Sequence, residues 1–161
     1  MTLSQPSAIP QDQRKIADIL FVEDSLADVA LIKAILKVNK INFSFHFLRD
    51  GEEAINLLNS DDPIVNELDL IFVDFNFPKS SGFEVLNFVK SHPTLKDVPV
   101  IMLSGHYKSE DMNEASELGA NNYIVKPLSE DKLEKAIENI STLEFVRQAD
   151  QKHIYVVPSK T

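Results

Sequence analysis

Five short apolar segments alternate with five amphipathic segments along this chain, and this alternation restricts the fold more than any other feature of the sequence. The apolar segments, rich in β-branched and aromatic residues, span residues 18–22, 43–48, 68–73, 98–103 and 122–125. In the segments that follow them, apolar residues recur every three or four positions, which is the spacing of one helical face. Strict strand-helix alternation predicts right-handed crossovers and a mostly parallel sheet with helices on both faces. The predicted fold class is therefore α/β, with a doubly wound five-stranded sheet.

Several of the predicted helices have sequence signals at their ends. Ser25, Ser109 and Ser129 each precede an amphipathic segment, where a serine side chain accepts a hydrogen bond from a backbone N–H group of the first helical turn. Gly119 follows the fourth amphipathic segment, and a glycine in that place commonly ends a helix. We therefore expect three helices to begin after these serines and the fourth helix to end at Gly119.

The alternation predicts one domain with short extensions at both ends. Residues 1–14 are mostly polar and contain prolines, so we expect a disordered N-terminal lead. The domain spans residues 15–147, and residues 148–161 form a C-terminal tail too short for an output module. Within the tail, residues 153–157 are apolar and β-prone. They either fold back on the domain, which we favour, or pair with a partner or a second copy.

Charge and composition exclude several kinds of site and partner. The formal net charge is −9, so the chain has no diffuse positive field to attract nucleic acid or an anionic membrane surface. It has no cysteine, which excludes disulfides, thiolate zinc sites and cysteine nucleophiles. No apolar run approaches the roughly 20 residues that span a bilayer, and the N-terminal residues have no signal-peptide pattern. We therefore expect a cytoplasmic protein with no nucleic-acid or membrane partner.

Polar side chains follow four of the five predicted strands. Glu23 and Asp24 follow the first strand, Asp74 the third, Ser104 the fourth and Lys126 the fifth. In such sheets the functional crevice lies outside the carboxyl ends of the strands, so these side chains are expected to converge. Three adjacent carboxylates repel one another unless a cation neutralises them, and Mg²⁺ prefers oxygen ligands. The sequence therefore predicts a magnesium site, beside an ammonium and a hydroxyl that suit an anionic phosphoryl group.

The segments around these residues read Ile-Leu-Phe-Val-Glu23-Asp24, Asp69-Leu-Ile-Phe-Val-Asp74-Phe-Asn-Phe-Pro78, Pro99-Val-Ile-Met-Leu-Ser104-Gly105 and Gly119-Ala-Asn-Asn-Tyr123-Ile-Val-Lys126-Pro127. Taken together and in order, they resemble the receiver domains of response regulators. The likeness extends over residues 16–147. It implies the flavodoxin-like, CheY-like arrangement, in which the five parallel strands lie in the order 2-1-3-4-5.

The resemblance also implies a phosphoryl acceptor and its metal ligands. Asp74 takes the place of the phosphoacceptor. Asp24 and Asp74 take the places of carboxylate ligands of Mg²⁺, with Glu23 acting through water and the backbone carbonyl of Asn76 as a further ligand. Mg²⁺ is thus the expected cofactor.

Three further residues take the family's switching positions. Lys126 is expected to pair with Asp74 or its phosphoryl group, Ser104 to follow the phosphoryl group, and Tyr123 to change rotamer as the switch aromatic. Gly105 stands where alanine is frequent in the family. We also hypothesise that the ring of His106 and the side chain of Asn76 tune access of the water that hydrolyses the acyl phosphate.

The function that the resemblance implies is that of a single-domain response regulator. A sensor histidine kinase or a histidine phosphotransfer protein would supply the phosphoryl group, and the chain would catalyse only its own phosphorylation and dephosphorylation. Output would pass through the fourth helix, fifth strand and fifth helix, roughly residues 109–147, to a partner or a second copy. The opening at residues 22–28, Val-Glu-Asp-Ser-Leu-Ala-Asp, resembles the members linked to phytochromes.

Three other functions compete with this interpretation. A phosphatase of the haloacid-dehalogenase type needs Asp-x-Asp after the first strand, where this chain has Glu23-Asp24-Ser25. A flavin or dinucleotide binder needs a glycine-rich loop there, and the four glycines of the chain lie at positions 51, 82, 105 and 119. A pseudo-receiver that binds partners without being phosphorylated remains the alternative, and phosphate uptake from acetyl phosphate distinguishes it.

Overall fold

The computed structural model describes residues 14–158, so all of the expected N-terminal lead except Arg14 lies outside the described residues. In chain order the elements are β1 (Lys15–Ile16), β2 (Asp18–Val22), α1 (Leu26–Val38), β3 (Ile41–Asn42), β4 (Ser44–Leu48), α2 (Gly51–Leu58), a 3-10 helix (Pro63–Asn66), β5 (Leu70–Asp74), α3 (Gly82–Ser91), β6 (Val100–Ser104), α4 (Ser109–Glu117), β7 (Asn122–Val125), α5 (Glu130–Glu138), β8 (Leu143–Gln148) and β9 (Gln151–Val156). None of the helices in the described range is both long enough and apolar enough to cross a membrane.

The central sheet confirms the predicted fold class. Its five parallel strands lie in the order β4-β2-β5-β6-β7, which is the order 2-1-3-4-5 when these strands are numbered among themselves. Val22 pairs with Leu48 on one side and with Val73 on the other, so three strands end at the same level. This register carries the residues that follow β2 and β5 to the same edge of the sheet.

Apolar side chains on the two faces of the sheet form two separate cores. Phe21 and Phe72 point to one face, where helices α1 and α5 cover them. Val22 and Val73 point to the other face, where α2, α3 and α4 cover them. Each of these four side chains is fully buried, and burial of one such side chain contributes about 1.5–3 kcal/mol. The strands are therefore apolar on both faces, which leaves their ends for polar residues.

Most of the predicted helix ends are confirmed, and one is wrong. The side chains of Ser25 and Ser129 cap α1 and α5 by accepting hydrogen bonds from the backbone N–H groups of Asp28 and Lys132. Ser109, however, is the first residue of α4 and does not cap it, because the extended backbone ends one residue earlier, at Lys108. Gly119 has φ +100°, the left-handed conformation that commonly follows a helix end.

A C-terminal hairpin is the main feature that the sequence did not define. Strands β8 and β9 pair with each other, and β9 also pairs with β1 and β3 in a second, smaller sheet. The expected boundary between residues 147 and 148 therefore falls inside β8. Residues 153–157, the β-prone part of the tail, contribute to β9, where Ile154 and Tyr155 are buried. This part of the tail folds back on its own chain.

Candidate metal centre

Three carboxylates meet at the carboxyl edge of the central sheet. Glu23, Asp24 and Asp74 each offer an oxygen, and these oxygens lie within 4.8 Å of one another. The neighbouring positions of β2 and β5 bring them together, because Val22 pairs with Val73 and the acidic residues come next in each strand. Glu23 is fully buried and Asp74 is 8% exposed. A set of oxygen ligands at this spacing suits a hard divalent cation such as Mg²⁺.

One ammonium group balances part of this negative charge. Lys126 follows β7, and its backbone N–H donates to the carbonyl oxygen of Ser104 (2.7 Å). Its Nζ lies 2.6 Å from Oε1 of Glu23 and 3.3 Å from Oδ2 of Asp74. A third carboxylate, Oδ2 of Asp28, lies 2.9 Å from the same nitrogen. Removal of one partner from a buried ion pair such as that between Lys126 and Glu23 typically costs about 3–5 kcal/mol.

The pKa values at the site report the same excess of negative charge. Burial, and then the neighbouring Asp74 carboxylate, raise the pKa of Glu23 to about 7, against the opposing effect of Lys126. Burial alone would lower the pKa of Lys126, but its hydrogen bonds to Asp28 and Glu23 and the charge of Asp74 raise it well above its ordinary value. The site therefore holds its ammonium firmly and still favours a further positive charge.

Ser104 lies at the end of β6 and is bound to its own loop. Its hydroxyl donates to the carbonyl oxygen of His106 (2.7 Å) and accepts from the backbone N–H of His106 (3.2 Å). The hydroxyl of Tyr123 donates to the same carbonyl oxygen (3.2 Å). Two of the expected switch residues thus meet at one backbone carbonyl. Ser104 stabilises a turn here, which is the structural role that a serine at a strand end commonly has.

The loop after Asp74 doubles back immediately. Asn76 is exposed and forms an isolated antiparallel bridge with Ser81, and the backbone N–H of Gly82 donates to the carbonyl oxygen of Phe75 (2.8 Å). The role of the Asn76 carbonyl as a metal ligand remains a prediction.

Two residues near the site were missed by sequence reasoning. Gly82 approaches the backbone of Asp74, and the signal for this was a glycine at the start of a helix directly after a loop. Asp28 contacts Lys126. The sequence alone indicates only an acidic residue in the first turn of a helix, a position that the helix dipole favours.

Comparisons with known proteins agree with this geometry. Residues 19–138 match the family model described as response regulator receiver domain. The chain is 36% identical over 126 residues to "Response regulator Rcp1" of Synechocystis sp. (strain ATCC 27184 / PCC 6803 / Kazusa), an alignment that covers 77% of this chain and 86% of that protein.

Two solved structures are similar over most of the chain. The Mn(2+)-bound form of response regulator Rcp1 is 35% identical with a TM-score of 0.62, covering 74% of this chain and 88% of that one. The phosphorylated cyanobacterial phytochrome response regulator RcpA is 35% identical with a TM-score of 0.63, covering 75% of this chain and 89% of that one. One of these similar proteins was therefore solved with a divalent metal and the other in a phosphorylated state.

Proposed function

Since this chain belongs to the family of response regulator receiver domains, we propose that it accepts a phosphoryl group on Asp74 from a sensor histidine kinase or a histidine phosphotransfer protein. One observation carries the proposal. The Asp74 carboxylate lies 3.3 Å from the ammonium of Lys126 and within 4.8 Å of two further carboxylates, at the carboxyl edge of a parallel sheet.

The residues present fit a divalent cation. Asp24 and Asp74 would bind it directly, Glu23 through water, and the backbone carbonyl of Asn76 would complete the protein ligands. Burial and the neighbouring Asp74 carboxylate raise the pKa of Glu23 against the opposing effect of Lys126, which supports a further positive charge at this site. When bound, Mg²⁺ supplies charge neutralisation for the carboxylates and for the incoming phosphoryl oxygens.

The residues of the chain perform the transfer by alignment and charge. An oxygen of Asp74 forms the new O–P bond while the N–P bond of a phosphohistidine breaks and its imidazole leaves. The ammonium of Lys126 stabilises negative charge on the phosphoryl oxygens. It can do so without a large movement, because it already lies 3.3 Å from the acceptor Asp74. Water later attacks the phosphorus atom, the O–P bond to Asp74 breaks, and inorganic phosphate leaves, which restores the Asp74 carboxylate. The chain thus catalyses only its own phosphorylation and dephosphorylation.

The new charge would act on the loop that begins at Ser104. A phosphoryl group adds about −2 of charge and strong hydrogen-bond acceptors. The hydroxyl of Ser104, which now donates to His106, would turn toward that group, and the loop would follow. Tyr123 would then lose its bond to His106 and change rotamer. This sequence of changes would alter the face of α4, β7 and α5, where we place the output partner or a second copy.

The kinase itself is proposed to be linked to a phytochrome. The support is the 36% identity to Rcp1, the 35% identity to a phosphorylated phytochrome response regulator, and the opening at residues 22–28.

Intact mass measurement after incubation with Mg²⁺ and acetyl phosphate tests the proposed function. We expect one retained phosphoryl group on the wild type and none on Asp74→Asn, which keeps the size of the side chain. Absence of any phosphoryl group on the wild type, together with no release of phosphate from acetyl phosphate, would favour the pseudo-receiver alternative. Continuous release of phosphate with no phosphoryl group retained on the protein would favour an enzyme.

A further inference from the structure

The ammonium of Lys126 is paired with three carboxylates, and one of them comes from a helix outside the metal centre. Nζ lies 2.6 Å from Glu23 and 2.9 Å from Asp28, and its distance to Asp74, 3.3 Å, is the longest of the three. From this juxtaposition we propose that Asp28 is a positioning residue that competes with the phosphoryl group for Lys126 and so slows phosphorylation. This inference rests on the proposed function of Asp74.

Helix capping does not account for the position of the Asp28 side chain. Asp28 is the third residue of α1, where an acidic side chain often turns back to the backbone N–H of the capping residue. In this protein that N–H group, on Ser25, donates instead to Oε2 of Glu23 (3.2 Å). The Asp28 carboxylate instead points toward the loop after β7 and accepts a hydrogen bond from Nζ of Lys126. Its direction is therefore set by the ammonium and not by the start of its own helix.

The ammonium has three N–H groups, and an incoming phosphoryl oxygen needs one of them. Glu23 is fully buried, so its carboxylate cannot exchange Lys126 for water at low cost. The side chain of Asp28 is 39% exposed, so water can replace Lys126 there. The contact with Asp28 is therefore the one that breaks when Lys126 turns to the phosphoryl group. Loss of this contact raises the free-energy barrier to phosphorylation.

The Asp28 carboxylate has opposite effects on the binding of the metal cation and on the approach of the anionic phosphodonor. Its negative charge favours a cation at the neighbouring acidic cluster, and by holding Lys126 it leaves Asp74 freer to bind that cation. The same charge repels an anionic phosphodonor and withholds the ammonium from it. Removal of the charge is therefore expected to weaken Mg²⁺ binding and to speed phosphorylation, whereas general damage to the site would weaken both.

The test compares Asp28→Asn and Asp28→Glu with the wild type. At saturating Mg²⁺, Asp28→Asn is expected to take up phosphate from acetyl phosphate about two- to fivefold faster, as loss of one partly exposed ion pair implies. Its Mg²⁺ dissociation constant, measured by calorimetry without phosphodonor, is expected to rise. Asp28→Glu restores the charge and is expected to move both values back toward the wild type. An Asn variant with unchanged or slower phosphorylation, or with unchanged Mg²⁺ affinity, would overturn the inference.

Glu53→Gln is the matched control. Glu53 is the third residue of α2, as Asp28 is of α1, and its backbone N–H likewise donates to the capping residue, here Asp50. It is exposed, so its neutralisation removes the same charge from the same helical position without touching Lys126. We expect Glu53→Gln to change neither the rate of phosphorylation nor the affinity for Mg²⁺.

If the wild type takes up no phosphate, the proposed function fails, and the competition for Lys126 is overturned with it. If the wild type takes up phosphate but Asp28→Asn does not differ from it, the inference alone fails.

Discussion

Gly82 lies so close to Asp74 that a β-carbon at position 82 would stand 2.2 Å from the carbonyl oxygen of Asp74. No side chain fits this gap, because the oxygen belongs to the backbone of a buried central strand. The contact fixes the loop that follows the acceptor, and the start of α3 with it. The glycine is therefore part of what holds Asp74 in place.

Replacement of Gly82 by alanine is expected to destabilise the protein by about 1–3 kcal/mol, the usual cost of overpacking in a closely packed interior. For a chain of this length each kcal/mol lowers the melting temperature by about 2–4 °C. The matched control is Gly105→Ala, because a β-carbon at position 105 would meet nothing within 4 Å. Equal melting temperatures for Gly82→Ala and Gly105→Ala would contradict the close approach.

Asp18 is predicted to make the stability of the protein depend on pH. Burial alone would raise the pKa of Asp18, but hydrogen bonds from His46, Ser44 and Lys15 outweigh burial and lower that pKa below its ordinary 3.8. A carboxyl whose pKa is lower in the folded state contributes stability above its unfolded pKa and loses it as the pH falls through the folded value.

The difference in free energy of unfolding between wild type and Asp18→Asn should therefore shrink as the pH falls from neutrality to below about 3.8. Urea denaturation over that range measures it, with the exposed Asp61→Asn as a control for loss of charge. A difference that stays constant or grows with falling pH would show that Asp18 carries no such contribution.

Glu130 ties the C-terminal hairpin to α5. Its carboxylate lies 3.0 Å from Nζ of Lys152 on β9 and 3.1 Å from Nη1 of Arg147 on β8. Because these pairs are partly exposed, we expect Glu130→Gln to loosen the hairpin by no more than about 1 kcal/mol. Amide hydrogen exchange should become faster in β8 and β9 and remain unchanged in β2 and β5.

The control for this change is Asp131→Asn, at the next position of the same helix. Asp131 pairs only with Lys135 among the described residues, and both side chains are more than 70% exposed. Faster exchange of the hairpin in both variants, or in neither, would mean that Glu130 does not hold it.

The ring of His106 is predicted to limit the access of water to the acyl phosphate. His106 is exposed, and its backbone binds Ser104 and Tyr123 at the edge of the site, so a smaller side chain opens this edge without breaking those bonds. We expect His106→Ala to shorten the lifetime of phosphorylated Asp74 a few-fold, measured by intact mass after removal of the phosphodonor. Tyr107→Ala, the exposed neighbour, is the control. An unchanged lifetime in His106→Ala would remove this role.

The central sheet could be predicted because its strands are buried on both faces and read as continuous apolar segments. The carboxylates could be predicted to meet because the ends of neighbouring parallel strands coincide, as the pairing of Val22 with Val73 illustrates. Lys126 could be predicted to join them because it follows another parallel strand of the same sheet, which ends at the same edge. These two facts require no knowledge of side-chain conformation.

The contact of Asp28 with Lys126 could not be predicted in this way. It depends on how the first turn of α1 faces the loop after β7, about a hundred residues away along the chain. The hairpin was missed for a local reason. Its turn contains Ala149 at φ +56°, where a glycine or asparagine is the usual signal, so nothing in the sequence marked the end of β8.

A crystal structure with Mg²⁺ and beryllofluoride, an analogue of the phosphoryl group, tests the central claim most directly. The account predicts a metal ion between the carboxylates of Asp24 and Asp74, with beryllofluoride on Asp74 and Lys126 turned toward its fluorine atoms. Crystals grown at saturating ligand in which the metal and the fluoride group lie elsewhere, or in which Asp74 stays unmodified, would contradict it.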